Sequence, residues 1–175
     1  MDTLTIICII IAIICLLSIG FVSIYNRFQE NLIRINEVES DIDNVLRKRF
    51  DLLNKSISVI KKELPDENPM PIIEDLHSKK MSNFDLDRSL YQAINEFDSY
   101  KSRIKDDEFQ KIDGVLKETE AELLAYRKYY NDVTTDYNRL RHKFPSNLVA
   151  MICGYKDRNY YDNKNILKNS DNLKL

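Results

Sequence analysis

Residues 3–26 form a continuous run without charge, TLTIICIIIAIICLLSIGFVSIYN, in which most side chains are apolar. A helix over residues 4–24 would extend ~31 Å, which is enough to cross the hydrocarbon core of a bilayer. Its few interior hydroxyls, such as that of Ser18, can bond to carbonyls of the same helix. The run therefore predicts a transmembrane anchor, residues 1–25, and a function carried out beside a membrane.

Three other interpretations of the run fit less well. A secretory signal peptide has a basic start, a shorter apolar core and small residues at its cleavage site, whereas this run follows Asp2 and contains Ala12 as its one alanine. A bacterial lipoprotein needs small residues before its modified cysteine, but Ile13 and Ile14 precede Cys15. A core helix of a soluble domain is rarely apolar on all faces over such a length.

The charges on either side of the anchor predict its orientation. Arg27 and Arg34 follow it, whereas the N-terminal side carries the α-amino group and Asp2. Since flanking positive charge stays on the cytoplasmic side, we expect the C-terminal part of this single-pass protein in the cytoplasm. Cysteine use agrees, because Cys153 is the one cysteine outside the anchor and a single thiol forms no intramolecular disulfide.

Composition argues against several classes of function. The chain has 26 basic and 28 acidic residues, a balance that disfavours a general nucleic-acid surface. Its glycines, Gly20, Gly114 and Gly154, are isolated, so neither a P-loop nor a dinucleotide-binding loop can be built from them. His77 and His142 have no Cys or carboxylate at metal-ligand spacing. We therefore predict no catalytic, cofactor-binding or metal site, and a protein that is not an enzyme.

Two charged clusters have structural interpretations. The acidic residues 106–108 fit the first turn of a helix, where the dipole favours carboxylates, and no calcium-loop spacing surrounds them. The basic residues 47–49 would lie ~31 Å beyond the anchor on a straight helix, too far for lipid headgroups. We expect them to pair with acidic residues of a neighbouring helix. His142 fits a helix C-terminus, where positive charge is favourable.

Breaks in the sequence predict where the first helix ends. No Pro or Gly occurs from Tyr25 to Leu64, so the anchor helix is expected to continue to that point with one apolar stripe for packing. Three prolines between residues 65 and 71 then require a loop, since each would break a helix interior.

Two more long helices are predicted from apolar periodicity. One covers residues 72–104 and is clearest from an N-cap at Ser82, with residues 72–80 as a separate turn or two. The other covers residues 106–143, where steps of three and four alternate along an apolar seam that could also pair between chains as a coiled coil. Three seam tyrosines are expected in the core, or alternatively to stack on a ligand: Tyr126, Tyr130 and Tyr137.

Short connections predict an antiparallel three-to-four-helix up-down bundle over residues 26–161. The predicted path leads out from the membrane, back, and out again. After Pro145, the segment SNLVAMICGY predicts a short helix at the membrane-distal end, with Gly154 at its C′ position. Residues 162–175, rich in Asn, Asp and Lys, are predicted to be a disordered tail.

The chain resembles the LemA family of bacterial membrane-anchored helical proteins in two segments. One is YNRFQENLIRINEVESDIDNVLRKRFDLL, residues 25–53. The other is AYRKYYNDVTTDYNRLRHKFPSNLVAMICGYKDRNYY, residues 125–161, with Arg127 and the Phe-Pro-Ser-Asn of residues 144–147. The resemblance implies a helical bundle behind one anchor in the bacterial inner (cytoplasmic) membrane, commonly drawn on the cytoplasmic side. It supplies no catalytic residues.

Two positions depart from the family pattern. Glu39 stands where the family commonly has Trp, which puts an aromatic contact there in doubt. Asn54 stands where it commonly has Pro, which favours an uninterrupted first helix.

The segment SNLVAMICGY and the tyrosines after it are the best candidate for a functional surface. One interpretation is a hydrophobic plug that closes the end of the bundle. The other is an exposed patch for an unidentified protein partner. The residues concerned are Leu148, Val149, Met151, Ile152, Tyr160 and Tyr161.

Three functions fit this sequence. The preferred hypothesis is a non-enzymatic membrane protein whose cytoplasmic bundle is a rigid protein-interaction module or scaffold. The first alternative is a membrane-tethered small-molecule sensor or enzyme, supported by the aromatic seam. The second alternative is an extracytoplasmic envelope protein. Neither the oligomeric state nor the partner follows from the sequence.

Overall fold

The computed structural model describes residues 2–76 and 81–161, and it confirms an all-α chain. Within those residues the chain has five helices and no strand: α1 (Thr3–Glu63), α2 (Pro71–Leu76), α3 (Asn83–Tyr100), α4 (Asp107–His142) and α5 (Ser146–Cys153). The predicted tail, residues 162–175, and His77 lie outside the described residues.

α1 runs without a break from the anchor to Glu63, as the absence of Pro and Gly after residue 25 predicts. The Ser18 hydroxyl donates to the Ile14 carbonyl oxygen at 2.8 Å, the backbone bond expected of a polar side chain in an apolar helix. By length and composition α1 could cross a membrane, since its apolar window has a mean hydropathy of 3.1 and is 0% buried. These features fit a single-pass anchor.

Beyond the anchor, α1 buries the apolar stripe that its periodicity predicts. The stripe residues are at most 1% exposed: Phe28, Ile35, Ile42, Leu46, Leu53 and Ile60. Each fully buried side chain of this size contributes ~1.5–3 kcal/mol, so the stripe is a main source of stability.

The second predicted helix is two helices. α2 has 6 residues and α3 begins at Asn83, after the predicted N-cap. The Ser82 hydroxyl accepts a hydrogen bond from the Asp85 backbone N–H at 3.3 Å and donates to the Asp85 carboxylate at 2.7 Å. The expected separate turn or two is observed as α2 up to Leu76, and residues 77–80 of that prediction lie outside the described residues. The prediction of a helix reaching residue 104 is wrong, since α3 ends at Tyr100.

The chain forms two compact units. Of the described residues, the first unit, here called the anchor unit, contains 2–37 and 131–160. The second, here called the bundle unit, contains 38–76, 81–130 and 161. α1 and α4 each contribute one part to both units.

In the bundle unit, α1 and α4 are antiparallel. Three side-chain contacts join them: Glu39 with Tyr130, Arg49 with Glu120, and Lys55 with Glu108. The residue numbers rise along α1 as they fall along α4, so the two helices point in opposite directions. The prediction that α4 leads away from the membrane in the same direction as α1 is therefore wrong.

The antiparallel direction follows from an extra leg between α1 and α3. α3 and α4 are antiparallel, because Asp87 meets Arg127 and the rings of Phe97 and Phe109 stack at 4.5 Å. α3 consequently points the same way as α1. The return leg is the segment that contains α2. Its start is fixed to the end of α3, where Glu96 accepts a hydrogen bond from the Met70 backbone N–H at 2.6 Å. A proline-rich segment can return along a bundle without forming a long helix. The direction predicted for α4 was wrong because it assumed that only long helices reverse the chain.

In the anchor unit, α5 lies beside the part of α1 that follows the anchor. The rings of Tyr137 in α4 and Phe28 in α1 meet edge to face at 5.8 Å. Tyr155, directly after α5, places its ring 4.7 Å from that of Phe28, and Gln29 donates to its hydroxyl at 2.8 Å. The prediction that α5 lies at the membrane-distal end is wrong. Tyr155, which follows α5, packs on Phe28, and Phe28 is three residues after Tyr25, the last residue of the predicted anchor.

Candidate functional site

The segment predicted to be functional separates into buried and exposed side chains. Val149 is 4% exposed and packs into the anchor unit, and Tyr161 is 3% exposed in the bundle unit. Tyr160 is 49% exposed. The other three predicted residues are exposed: Leu148 (46%), Met151 (74%) and Ile152 (70%). Together with Phe144, which precedes α5, was not among the predicted residues and is 73% exposed, they are here called the α5 face. The plug interpretation therefore accounts for one side of α5 and leaves the other side in the open.

Gly154 ends α5 as predicted. Its backbone has the left-handed conformation, with φ of 69°. The Tyr155 backbone N–H donates to the Ala150 carbonyl at 2.9 Å, which completes a C-terminal cap of the type that glycine allows. This turn directs the chain from α5 back to α4.

Hydrogen bonds from α4 fix the segment after α5. The Tyr137 hydroxyl donates to the Lys156 carbonyl at 3.1 Å, and the Arg141 guanidinium donates to the Tyr155 carbonyl at 3.0 Å. Asn138 exchanges two hydrogen bonds with the backbone of Arg158, each 2.9 Å long. The position of α5 is therefore set by several directed bonds as well as by apolar contact.

A cleft of about 340 Å³ lies between α1 and α4 in the anchor unit. Its lining is mainly charged: Arg27, Glu30, Asn31, Arg34, Asp136, Arg139, Leu140 and Lys143. Four of these side chains are basic and two are acidic, and Arg139 pairs with Asp136 at 3.3 Å. The cleft, here called the basic cleft, begins two residues after the anchor, at Arg27.

His142 lies on the surface near the end of α4. Its Nε2 is 3.0 Å from a carboxylate oxygen of Asp157, which Arg141 also contacts, at 2.9 Å. The histidine side chain is mostly exposed. In the described residues no group of three His, Cys, Asp or Glu side chains could hold a metal ion.

The interior of the bundle unit contains a buried ion pair that the sequence analysis did not identify. The Arg127 guanidinium contacts both carboxylate oxygens of Asp87 at 2.5 Å, and the Tyr161 hydroxyl donates to the same carboxylate at 2.7 Å. The guanidinium also lies 5.6 Å from the centre of the Tyr161 ring. All three residues are buried.

The ionisation of these groups reflects their surroundings. Burial disfavours the charge of Arg127, yet the charge and hydrogen bonds of Asp87 raise its pKa above the ordinary value. Burial, and then the charge of Asp87, raises the pKa of Tyr161 well above its ordinary range. Arg127 is thus held charged and Tyr161 protonated, which is the state that lets both donate to Asp87.

The basic residues 47–49 lie in the bundle unit, and one of them, Arg49, has the expected acidic partner on a neighbouring helix. Arg49 is buried and pairs with Glu120 of α4 at 2.5 Å. Glu120 also lies 3.8 Å from Arg127, so it links Arg49 to the buried pair. Arg47 pairs with Asp43 of its own helix at 2.6 Å, and Lys48 is exposed.

The acidic residues 106–108 lie at the start of α4. A carboxylate oxygen of Asp106 accepts hydrogen bonds from the backbone N–H groups of Glu108 at 2.8 Å and Phe109 at 3.1 Å. Glu108 pairs with Lys55. These contacts cap the helix, in agreement with the structural interpretation.

The seam tyrosines are core residues to different degrees. Tyr130 and Tyr137 are buried, while Tyr126 is partly exposed. Tyr130 contacts the Tyr161 ring edge to face at 6.0 Å, and its hydroxyl lies 3.4 Å from the Glu39 carboxylate. At the position where the LemA pattern has Trp, a polar contact thus joins α1 to α4.

Sequence signals for the buried pair are visible once its position is known. Asp87 falls three residues before Leu90 and ten before Phe97, on the buried stripe of α3. Arg127 falls between Leu123 and Tyr130 on that of α4. A charge on an apolar stripe indicates a buried partner on a facing helix.

A comparison with known families identifies the second resembling segment and part of the first. The model of the LemA family matches residues 38–172, which includes the second resembling segment completely and the first from residue 38 onward. No curated protein matches the chain.

Proposed function

The chain belongs to the LemA family, and on this basis we propose that it is a non-enzymatic single-pass protein of the bacterial inner membrane. Its helical bundle acts as a protein-interaction module or scaffold, and it lies in the cytoplasm. The anchor confines it to the membrane, where it brings a protein partner to the surface.

One observation supports a role in interaction more than one in catalysis. The buried charged groups of the bundle unit have partners: Asp87 accepts from both Arg127 and Tyr161, and Arg49 pairs with Glu120 at the surface. A catalytic acid or base needs a side chain that can reach a substrate. Asp87, Arg127 and Tyr161 stabilise the fold, which leaves the surface of the domain for binding.

Photo-crosslinking in native membranes tests this function. A photoreactive residue is introduced at Leu124 or Tyr129, which are 55% and 49% exposed on α4. The matched control is Leu123, which is 0% exposed in the same helix. We expect one protein neighbour to be captured from the exposed positions and not from the buried one. If the exposed positions of the bundle unit capture no protein in intact cells, the interaction role is contradicted.

The side of the membrane has its own support. Arg139 of α4 and Lys143, directly after α4, line the basic cleft together with Arg27 and Arg34. They add to the positive charge next to the anchor, and positive charge favours the cytoplasmic side. A reporter fused after Leu175 tests this: we expect a fluorescent protein to be active there and alkaline phosphatase to be inactive. Phosphatase activity in intact cells would place the bundle outside.

A further inference from the structure

We propose that α5 is an interfacial helix whose exposed face inserts into the lipid leaflet from which α1 emerges. The inserted residues are those of the α5 face: Phe144, Leu148, Met151 and Ile152. This proposal rests on membrane anchoring by α1, and it adds a second contact with the lipid.

The chemistry of α5 suits the boundary between headgroups and acyl chains. Its sequence, SNLVAMIC, has no charged residue. Met151, at 74% exposed, is as open as Leu16 of the anchor, at 70%. Lys143 precedes the α5 face and Lys156 follows it. A short apolar face with basic residues at its flanks is typical of helices that lie in the interface.

The position of α5 places this face at the right depth. Tyr155 contacts Phe28 and Gln29, which lie about one helical turn, ~5 Å, beyond the end of the anchor at Tyr25. Ile24 is already partly buried, so the covering of α1 begins inside its apolar run. The end of α5 is therefore held where the anchor meets the headgroup layer.

The charges around α5 complement lipid headgroups. The basic cleft presents Arg27, Arg34, Arg139 and Lys143 in the same unit. Glu30 and Asp136 offset part of this charge. Phosphate groups at the headgroup level attract such a cluster, and an anionic leaflet attracts it more strongly.

The size of the α5 face also favours lipid over a protein. Three side chains on the eight-residue helix α5, together with Phe144 just before it, offer far less area than the ~1,000 Å² that a stable protein interface buries. A bilayer needs no complementary shape, and the anchor already supplies the attachment.

Tryptophan fluorescence tests the proposal on the full chain, which contains no Trp of its own. The variant Met151→Trp is reconstituted in vesicles of phosphatidylcholine and phosphatidylglycerol, with or without bromine on the acyl chains. Leu16→Trp reports on the anchor, and Leu124→Trp reports on an exposed site in the bundle unit. We expect brominated lipid to quench Met151→Trp at least about half as strongly as Leu16→Trp, because an interfacial helix lies at the acyl boundary. Leu124→Trp should be quenched by aqueous acrylamide alone.

The outcomes separate this proposal from membrane anchoring. If brominated lipid quenches Leu16→Trp but not Met151→Trp, α5 does not insert and the anchor stands. If neither is quenched, the anchor itself is refuted, and α5 insertion with it. If Met151→Trp is shielded from acrylamide in native membranes but open in pure lipid, a protein covers the face and the proposal is overturned.

A second set of variants guards against misfolding. Leu148→Trp serves as the reporter, and the substitutions Met151→Glu and Ile152→Glu are added to it. Both positions are exposed, so we expect an unchanged helical circular dichroism spectrum. Lipid quenching of Leu148→Trp should be lost with the two glutamates. Quenching that survives them would contradict insertion through this face.

Discussion

The Tyr161 hydroxyl donates a hydrogen bond of 2.7 Å to the Asp87 carboxylate, and the two residues are 74 positions apart in the sequence. This bond joins the end of the described chain to the N-terminal part of α3. With Arg127, it satisfies a charge that the bundle unit has removed from water.

Replacement of Asp87 by Leu should destabilise the chain strongly. Arg127 would remain buried without its partner, and removal of one member of such a pair costs ~3–5 kcal/mol. Unfolding of the full chain in detergent, followed by circular dichroism, measures the loss. The control is the double variant Asp87→Leu/Arg127→Met, which leaves no unpaired charge and should recover most of the stability. Equal destabilisation of the single and double variants would show that the pair is not coupled.

Replacement of Tyr161 by Phe should cost less. The ring keeps its contacts with Phe84 and Tyr130, and only the hydrogen bond to a charged carboxylate is lost, an effect of ~1.5–3 kcal/mol. Tyr160→Phe is the matched control, since its side chain is half exposed, and should change little. Chemical denaturation of both variants makes the comparison. Similar stabilities for the two would argue against the bond.

Alkaline pH should destabilise the wild-type chain through the same tyrosine. Burial raises the folded-state pKa of Tyr161 above the ordinary value of 10.0, so the unfolded chain loses this proton at a lower pH than the folded chain. Stability is then complete below about pH 10 and falls as the pH rises further. The free energy of unfolding, measured from pH 8 to 11, should fall less for Tyr161→Phe. A residual slope is expected from Tyr100, Tyr137 and Tyr155, whose pKa values burial also raises. Identical slopes for both proteins would exclude Tyr161 as a contributor.

Two glycine substitutions should have opposite effects. Gly154→Ala places a side chain at φ of 69°, where no other atom lies within 4 Å, so the cost of ~1–2 kcal/mol comes from the backbone alone. Gly114→Ala lies inside α4, also with nothing within 4 Å of the added carbon, and should stabilise by ~1 kcal/mol. Thermal melts of the two variants provide the test. A destabilised Gly114→Ala protein would contradict the helix-propensity argument.

Helix positions were predictable because they depend on local chemistry. The third long helix was expected over residues 106–143 and is observed as Asp107–His142. Both its N-terminal cap and its apolar seam depend on residues that are close in sequence. The N-cap at Ser82 and the C′ glycine of α5 were found for the same reason.

Helix direction was not predictable in this way. Periodicity describes which face of a helix is buried, but not which neighbour covers it or in what orientation. The leg that contains α2, a helix of six residues, carries the chain back, and its effect on the direction of α4 is visible in pairs such as Lys55 with Glu108. The misplacement of α5 followed from that one error.

The buried pair was missed for a different reason. The chain has 28 acidic residues, and periodicity alone does not tell which of them pairs with Arg127. Only the fold brings Asp87, 40 positions away, within hydrogen-bond distance.

The antiparallel match of α1 with α4 also has a consequence during synthesis. Glu39 and Tyr130 are 91 positions apart, so most of the chain must be synthesised before this part of α1 meets its partner in α4. Until then, part of the apolar stripe of α1 lacks its cover from α4. Truncated chains that end before Tyr130 should therefore be degraded quickly by quality-control proteases.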